Sequence, residues 1–123
     1  MTQGSLISIV DDDQSVQESL PELLSDFGFE VQAFSSAEDF LASPWVAQTK
    51  CLILDIAMPG MSGLDLQSEL KRRGTNIPII FITAHGDEQI RPQMLDRGAV
   101  ECLFKPFTDT MLLSAIDAAL QSG

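Results

Sequence analysis

The stretch SIVDDDQS, residues 8–15, sets three adjacent carboxylates, Asp11, Asp12 and Asp13, directly after the apolar run Leu6-Ile7-Ser8-Ile9-Val10. Like charges at such spacing repel, and partial burial at the end of a core strand makes each charge costlier. One aspartate at a strand-to-helix turn has an ordinary use as a helix cap. Three exceed that use. They are either solvated in a loop or gathered around a cation, and the rest of the chain must decide between these.

Five apolar, β-rich segments are legible: Leu6–Val10, Glu30–Phe34, Cys51–Leu54, Pro78–Thr83 and Val100–Phe104. A helical pattern or cap signal follows each. Residues 14–25 carry Val16, Leu20, Leu23 and Leu24 on one face, and Gly28 ends that helix. Ser35-Ser36-Ala37-Glu38 reads as a capping box ahead of Phe40 and Leu41. Ser62-Gly63-Leu64-Asp65 opens a third helix, closed by Gly74 after the basic Lys71-Arg72-Arg73 end. A fourth is expected over Asp87 to Arg97, and Thr108 caps a fifth with Met111, Leu112, Ala115, Ile116 and Ala119 on one face. Strand then helix, five times over, predicts an α/β fold, a (βα)5 doubly wound parallel sheet with helices on both faces. Five strands favour the flavodoxin-like order 2-1-3-4-5.

The 123 residues fit one domain, residues 1–123, with an ordinary globular balance of 45% hydrophobic and 20% charged residues. The net charge of -11 repels phosphate backbones, so no direct nucleic-acid binding by this chain is expected. No apolar run approaches a membrane span, and Met1-Thr2-Gln3-Gly4 lacks a basic leader, so the expected compartment is cytoplasmic. Cys51 and Cys102 stand alone in apolar segments, without the paired spacing of a zinc site. With a strand between theirs, they sit about 10 Å apart, beyond disulfide reach, and read as core thiols.

Ligands of open α/β sheets bind outside the carboxyl ends of the strands. The first strand ends in the triple aspartate, the third in Asp55, the fourth in Thr83 and the fifth in Lys105-Pro106. Strands 1, 3, 4 and 5 are neighbours in the expected order, so carboxylates, a hydroxyl and an ammonium should converge on one cleft. Hard oxygen ligands suit Mg2+, which takes one or two carboxylates and fills its shell with water and phosphate oxygens. An aspartate beside such a metal and a lysine can act as a nucleophile on phosphorus.

Four motifs, the acidic pair in VDDD, LILDIAMPGMSG, FITAHGD and LFKPF, each close an expected strand, and together they span nearly the whole chain. The pattern resembles the receiver domain of two-component response regulators, and MPGMSG and HGD resemble its FixJ-like branch, whose receivers usually precede a LuxR-type DNA-binding domain. The resemblance implies that Asp55 accepts a phosphoryl group from a sensor histidine kinase. It further implies direct Mg2+ ligation by Asp12, Asp55 and the backbone carbonyl of Ala57, with Asp11 acting mainly through a metal-bound water. Lys105 would pair with the phosphoryl group, and Thr83 would turn toward it and signal to the face formed by helix 4, strand 5 and helix 5. A phosphorylation-dependent homodimer and a cis Lys105-Pro106 bond are implied as well. Such a protein catalyses only its own phosphorylation and slow autodephosphorylation. Asp13 matches no ligand position and reads as a first-turn acid of helix 1.

Rival readings exist. A haloacid-dehalogenase-like Mg2+ phosphatase needs a second aspartate two residues after the nucleophile, where this chain has Ala57. A flavodoxin-like FMN binder needs a donor-rich phosphate loop where this chain has DDDQS, and a stand-alone phosphorelay receiver is a further alternative. His85 either lines the site entrance or is a solvated loop residue, and Trp45 is expected to cover apolar surface near helix 2. Two positions depart from the family pattern. Cys102 stands where receivers usually carry an aromatic that rotates with the threonine. Pro92 falls within the expected fourth helix, which should therefore either start late, with Pro92 in its first turn, or be distorted.

Overall fold

A computed structural model describes residues 4–84 and 89–122. The strands are β1 (Leu6–Val10), β2 (Glu30–Phe34), β3 (Cys51–Asp55), β4 (Ile79–Thr83) and β5 (Glu101–Phe104). They form one parallel sheet in the order β2-β1-β3-β4-β5. The helices are α1 (Gln14–Asp26), α2 (Ala37–Ala42), α3 (Gly63–Arg72), α4 (Ile90–Asp96) and α5 (Asp109–Ser122), with a short 3-10 turn at Val46–Gln48. β1, β3 and β4 are buried along their full length, as central parallel strands covered on both faces must be.

Strand alternation divides the core in two. On one face Ile7, Ile9, Ile53, Ile80 and Ile82 meet Leu20 and Leu24 of α1 and Leu112 and Ile116 of α5. On the other, Val10, Leu52, Leu54 and Phe81 meet Phe40 of α2, Leu66 and Leu70 of α3 and Met94 of α4. Each fully buried Ile, Leu or Phe contributes about 1.5–3 kcal/mol. Cys51 belongs to the first core and Cys102 to the second, so the two free thiols lie on opposite faces of the sheet. Burial pushes the Cys51 thiol up to about 12, so it stays protonated.

Several local readings shift. Asp13 is the N-cap of α1, accepting from the Ser15 amide at 3.0 Å, and not an acid inside its first turn. The α2 cap is Ser36, which accepts from the Asp39 amide at 3.1 Å, one residue later than the box over Ser35 to Glu38. That shift frees Glu38 to accept from the Met61 amide at 3.3 Å, tying α2 to the loop after β3. α4 begins at Ile90 and has Pro92 in its first turn, where the missing N–H has no helical partner to lose; Asp87 lies outside the described residues. α1 runs through Pro21, which cannot donate to the Gln17 carbonyl; buried Leu20 and Leu24 hold the helix to the sheet there. The capping box of α3 forms as expected, with Ser62 and Asp65 bonding each other's backbone amides.

Candidate functional site

Four strand ends supply the site. Asp11 follows β1 directly and is fully buried. Its amide donates to Phe34 of β2 at 3.1 Å. Its Oδ1 accepts from the Asp13 amide at 2.9 Å and its Oδ2 from Lys105 Nζ at 2.7 Å. Asp55 is the last residue of β3 and is 6% exposed. Asp12 is exposed. Carboxylate oxygens of Asp11, Asp12 and Asp55 lie within 4.8 Å of one another.

Lys105 follows β5, and its amide donates to the Thr83 carbonyl at 2.8 Å, so the ends of β4 and β5 are joined. The Lys105-Pro106 bond is cis. Thr83 ends β4 and is 2% exposed. Ala57, whose backbone amide bonds the Asp55 carboxylate, sits exposed at the mouth. The expected corners Asp11, Asp12, Asp55, Thr83, Lys105 and Ala57 therefore all stand at the carboxyl ends of β1, β3, β4 and β5. Asp13 turns away into its capping role, where the hydroxyl and amide of Ser15 hold its carboxyl below the usual range. His85 lies outside the described residues.

The electrostatics follow from burial. Desolvation pushes the Asp55 carboxyl up to about 7, and the Asp11 charge adds to the rise; Lys105 and the Ala57 amide pull the other way. Burial depresses the Lys105 ammonium, but its bond to Asp11 and the charges of Asp11, Asp55 and Asp13 outweigh that and raise it, so it stays charged. Three acids thus share one lysine among the described residues of the cluster. That is an excess of negative charge, and its oxygen donors fit a small hard cation.

Gly63 bears on the site although it is not among the residues expected from the sequence. A Cβ there would be driven into the Asp55 carbonyl oxygen and would stand 3.0 Å from the Ile56 Cα. The Gly63 amide also donates to the Ile56 carbonyl at 2.9 Å. Only glycine lets the start of α3 close against the backbone that carries Asp55. Glycine directly after the Ser62 cap was visible in the sequence, but the approach to Asp55 was not.

A parallel sheet in this order, with acids and a lysine gathered at its carboxyl edge, has the architecture of a receiver-type signalling domain. The chain belongs to the response regulator receiver domain family, which it matches over residues 7–117. It is 46% identical to Nodulation protein W of Bradyrhizobium diazoefficiens over 117 residues, which cover 95% of this chain and 52% of that protein. It is 47% identical to the response regulator protein TodT of Pseudomonas putida over 119 residues, 97% of this chain and 52% of that one. The crystal structure of FixJ-N superposes with a TM-score of 0.85 at 39% identity, covering 97% of this chain and 95% of that one. The chain spans about half the length of the curated relatives it matches. Among the described residues no helix is long and apolar enough to cross a membrane.

Proposed function

We propose that residues 1–123 form one Mg2+-dependent receiver that takes a phosphoryl group from a sensor histidine kinase onto Asp55. The observation that carries this reading is the meeting of Asp11, Asp12 and Asp55 within 4.8 Å, with Lys105 bonded to Asp11 beside them. Asp12, Asp55 and the Ala57 carbonyl would hold the ion directly, and Asp11 through a water. When bound, the ion supplies positive charge that offsets the negative charge of the transferring group.

The chain's own residues do the rest. Asp55 attacks phosphorus as the carboxylate; the new O–P bond forms as the donor's N–P bond breaks, and the electron pair stays on the donor imidazole. Lys105 exchanges Asp11 for the incoming phosphoryl oxygens, and the Thr83 hydroxyl donates to them from the end of β4. A groove of about 630 Å³, lined by Val16, Leu20, Leu23 and Phe107 together with Asp13, Ser15 and Lys105, offers the kinase a seat next to the acidic turn. Hydrolysis of the resulting acyl phosphate is slow, so the domain is a switch and not a turnover enzyme.

The output is a LuxR-type DNA-binding domain. This is supported by relatives described as transcriptional regulators, such as FixJ of Azorhizobium caulinodans, of whose length the chain covers 57%. With a net charge of -11, the receiver itself does not contact DNA. It acts in the cytoplasm and dimerises on phosphorylation through α4, β5 and α5. There Cys102 lines a groove of about 600 Å³ with Arg91, Glu101 and Met111. The test is incubation with acetyl phosphate and Mg2+. A base-labile adduct of one phosphoryl group per chain supports the reading; continuous phosphate release without an adduct supports a phosphatase and overturns it.

A further inference from the structure

Gln17 lies on α1, outside the acidic cluster, and its side-chain amide donates to the backbone carbonyl of Asp11 at 2.7 Å. Its own backbone amide donates to the Asp13 carbonyl at 3.1 Å. One residue thus grips the acidic turn at both ends. The Asp11 carbonyl belongs to the rigid peptide plane that also contains the nitrogen and Cα of Asp12. Anchoring that oxygen fixes the direction in which Asp12 leaves the strand.

Every other polar group of Asp11 is already committed. Its amide goes to Phe34, Oδ1 to the Asp13 amide and Oδ2 to Lys105. Gln17 supplies the remaining partner, the one β1 itself does not provide at its end. Asp12 has no side-chain hydrogen bond among the described residues, so its carboxylate is placed by its backbone alone. Gln14, three residues earlier on the same helix, is spent differently: its amide donates to Glu18 at 2.9 Å.

We propose that Gln17 is a positioning residue for the cation site: it orients the Asp11–Asp12 peptide plane and so preorganises the Asp12 carboxylate. This rests on the reading of the cluster as a Mg2+ site. Gln17→Met keeps the length and helix propensity and removes the donor. Loss of one such hydrogen bond should weaken Mg2+ binding roughly five-fold. Once Mg2+ is saturating, labelling by acetyl phosphate should return to within about two-fold of the wild type. A role confined to stabilising α1 would not produce that split. In the metal-free protein, amide exchange at Asp12 and Asp13 should quicken. Gln14→Met should leave all of these unchanged.

Calorimetric titration with MgCl2, with exchange measured in chelator, provides the readouts. Weaker binding in Gln17→Met alone, with faster exchange at Asp12 and Asp13, supports the assignment. Equal affinity in Gln17→Met and wild type overturns it, as does equal weakening in both variants. Failure of the wild type itself to bind Mg2+ overturns the underlying reading, and the assignment with it, and is told apart because no variant is needed to see it.

Discussion

Lys105 Nζ stands 2.7 Å from Oδ2 of Asp11, an ion pair whose acid is fully buried and whose lysine side chain is 18% exposed. The pair ties the end of β5 to the end of β1 across the site. Breaking a buried pair leaves an uncompensated charge, so Lys105→Met should lower the stability of the metal-free protein by about 1–3 kcal/mol. The same change removes the cation that competes for the acids, so Mg2+ should bind several-fold tighter. Labelling by acetyl phosphate should nonetheless fall by about ten-fold or more, since in the proposed function Lys105 supplies the charge that meets the phosphoryl group. Calorimetry and labelling on one sample check the opposite signs; affinity and rate falling together would contradict this role for the lysine.

The Asp55 carboxyl sits at about 7, above its ordinary 3.8, through desolvation first and the Asp11 charge second. Between those pH values the folded chain holds more protons than the unfolded one, so this group lowers stability as pH rises through that window. Asp55→Asn removes the effect. In chelator at pH 8 the variant should be more stable than the wild type by on the order of 2 kcal/mol, and the gain should shrink as pH falls toward 4. Thermal unfolding across pH measures this; a gain independent of pH would contradict it.

Gly63 predicts a steric effect on the site. In Gly63→Ala the new methyl meets the Asp55 carbonyl and the Ile56 Cα, both backbone, so α3 or the end of β3 must move. A loss of about 2–3 kcal/mol is expected, with slower labelling of Asp55. Gly74→Ala, at φ 72 in open space, should lose about 1 kcal/mol and leave labelling unchanged. Chemical denaturation and labelling compare the two; equal labelling in both variants would contradict the close approach.

The C-terminal end of α4 is anchored to α3. Gln67, 3% exposed, donates to the Arg97 carbonyl at 3.0 Å and accepts from Arg97 Nε at 2.8 Å, while Lys71 reaches the same carbonyl at 2.8 Å. Near its start, Arg91 makes an exposed two-bond pair with Glu101 of β5 at 2.8 and 2.9 Å. Gln67→Leu should speed amide exchange across α4 by about ten-fold, as loss of about 1.4 kcal/mol of local stability implies. Arg91→Ala, which breaks an exposed pair, should change it less. Neither should alter Asp55 labelling by more than about two-fold, since neither side chain reaches the acids. Exchange that rises more in Arg91→Ala than in Gln67→Leu would refute the anchor.

The fold was legible because its signals are local and repeated. Five apolar segments with cap or glycine punctuation between them fix a parallel α/β sheet, and the carboxyl edge then collects Asp11, Asp55, Thr83 and Lys105 without further information. What escaped the sequence depends on contacts distant in the chain. Glu38 pairs with Met61, Ser8 with Thr49 at 2.6 Å in the core, and Gly63 closes on Asp55, and no periodicity encodes those meetings. The start of α2 moved by one residue because two adjacent serines compete for one cap, and either satisfies a local rule. Asp13 fits both an N-cap and a first-turn acid in sequence, and only its extended backbone angles make it the cap. Pro21 escaped because the apolar stripe through Leu20 and Leu24 outweighed it, as burial does in the structure.

The central claim is that Asp55 is the phosphoacceptor, and intact-mass measurement after incubation with acetyl phosphate and Mg2+ tests it most directly. Wild type and Asp13→Asn should each gain one phosphoryl group per chain, since Asp13 caps α1 and is not one of the three clustered acids. Asp55→Asn should gain none. A phosphoryl adduct that persists in Asp55→Asn would mean that another side chain is the nucleophile and would contradict the account.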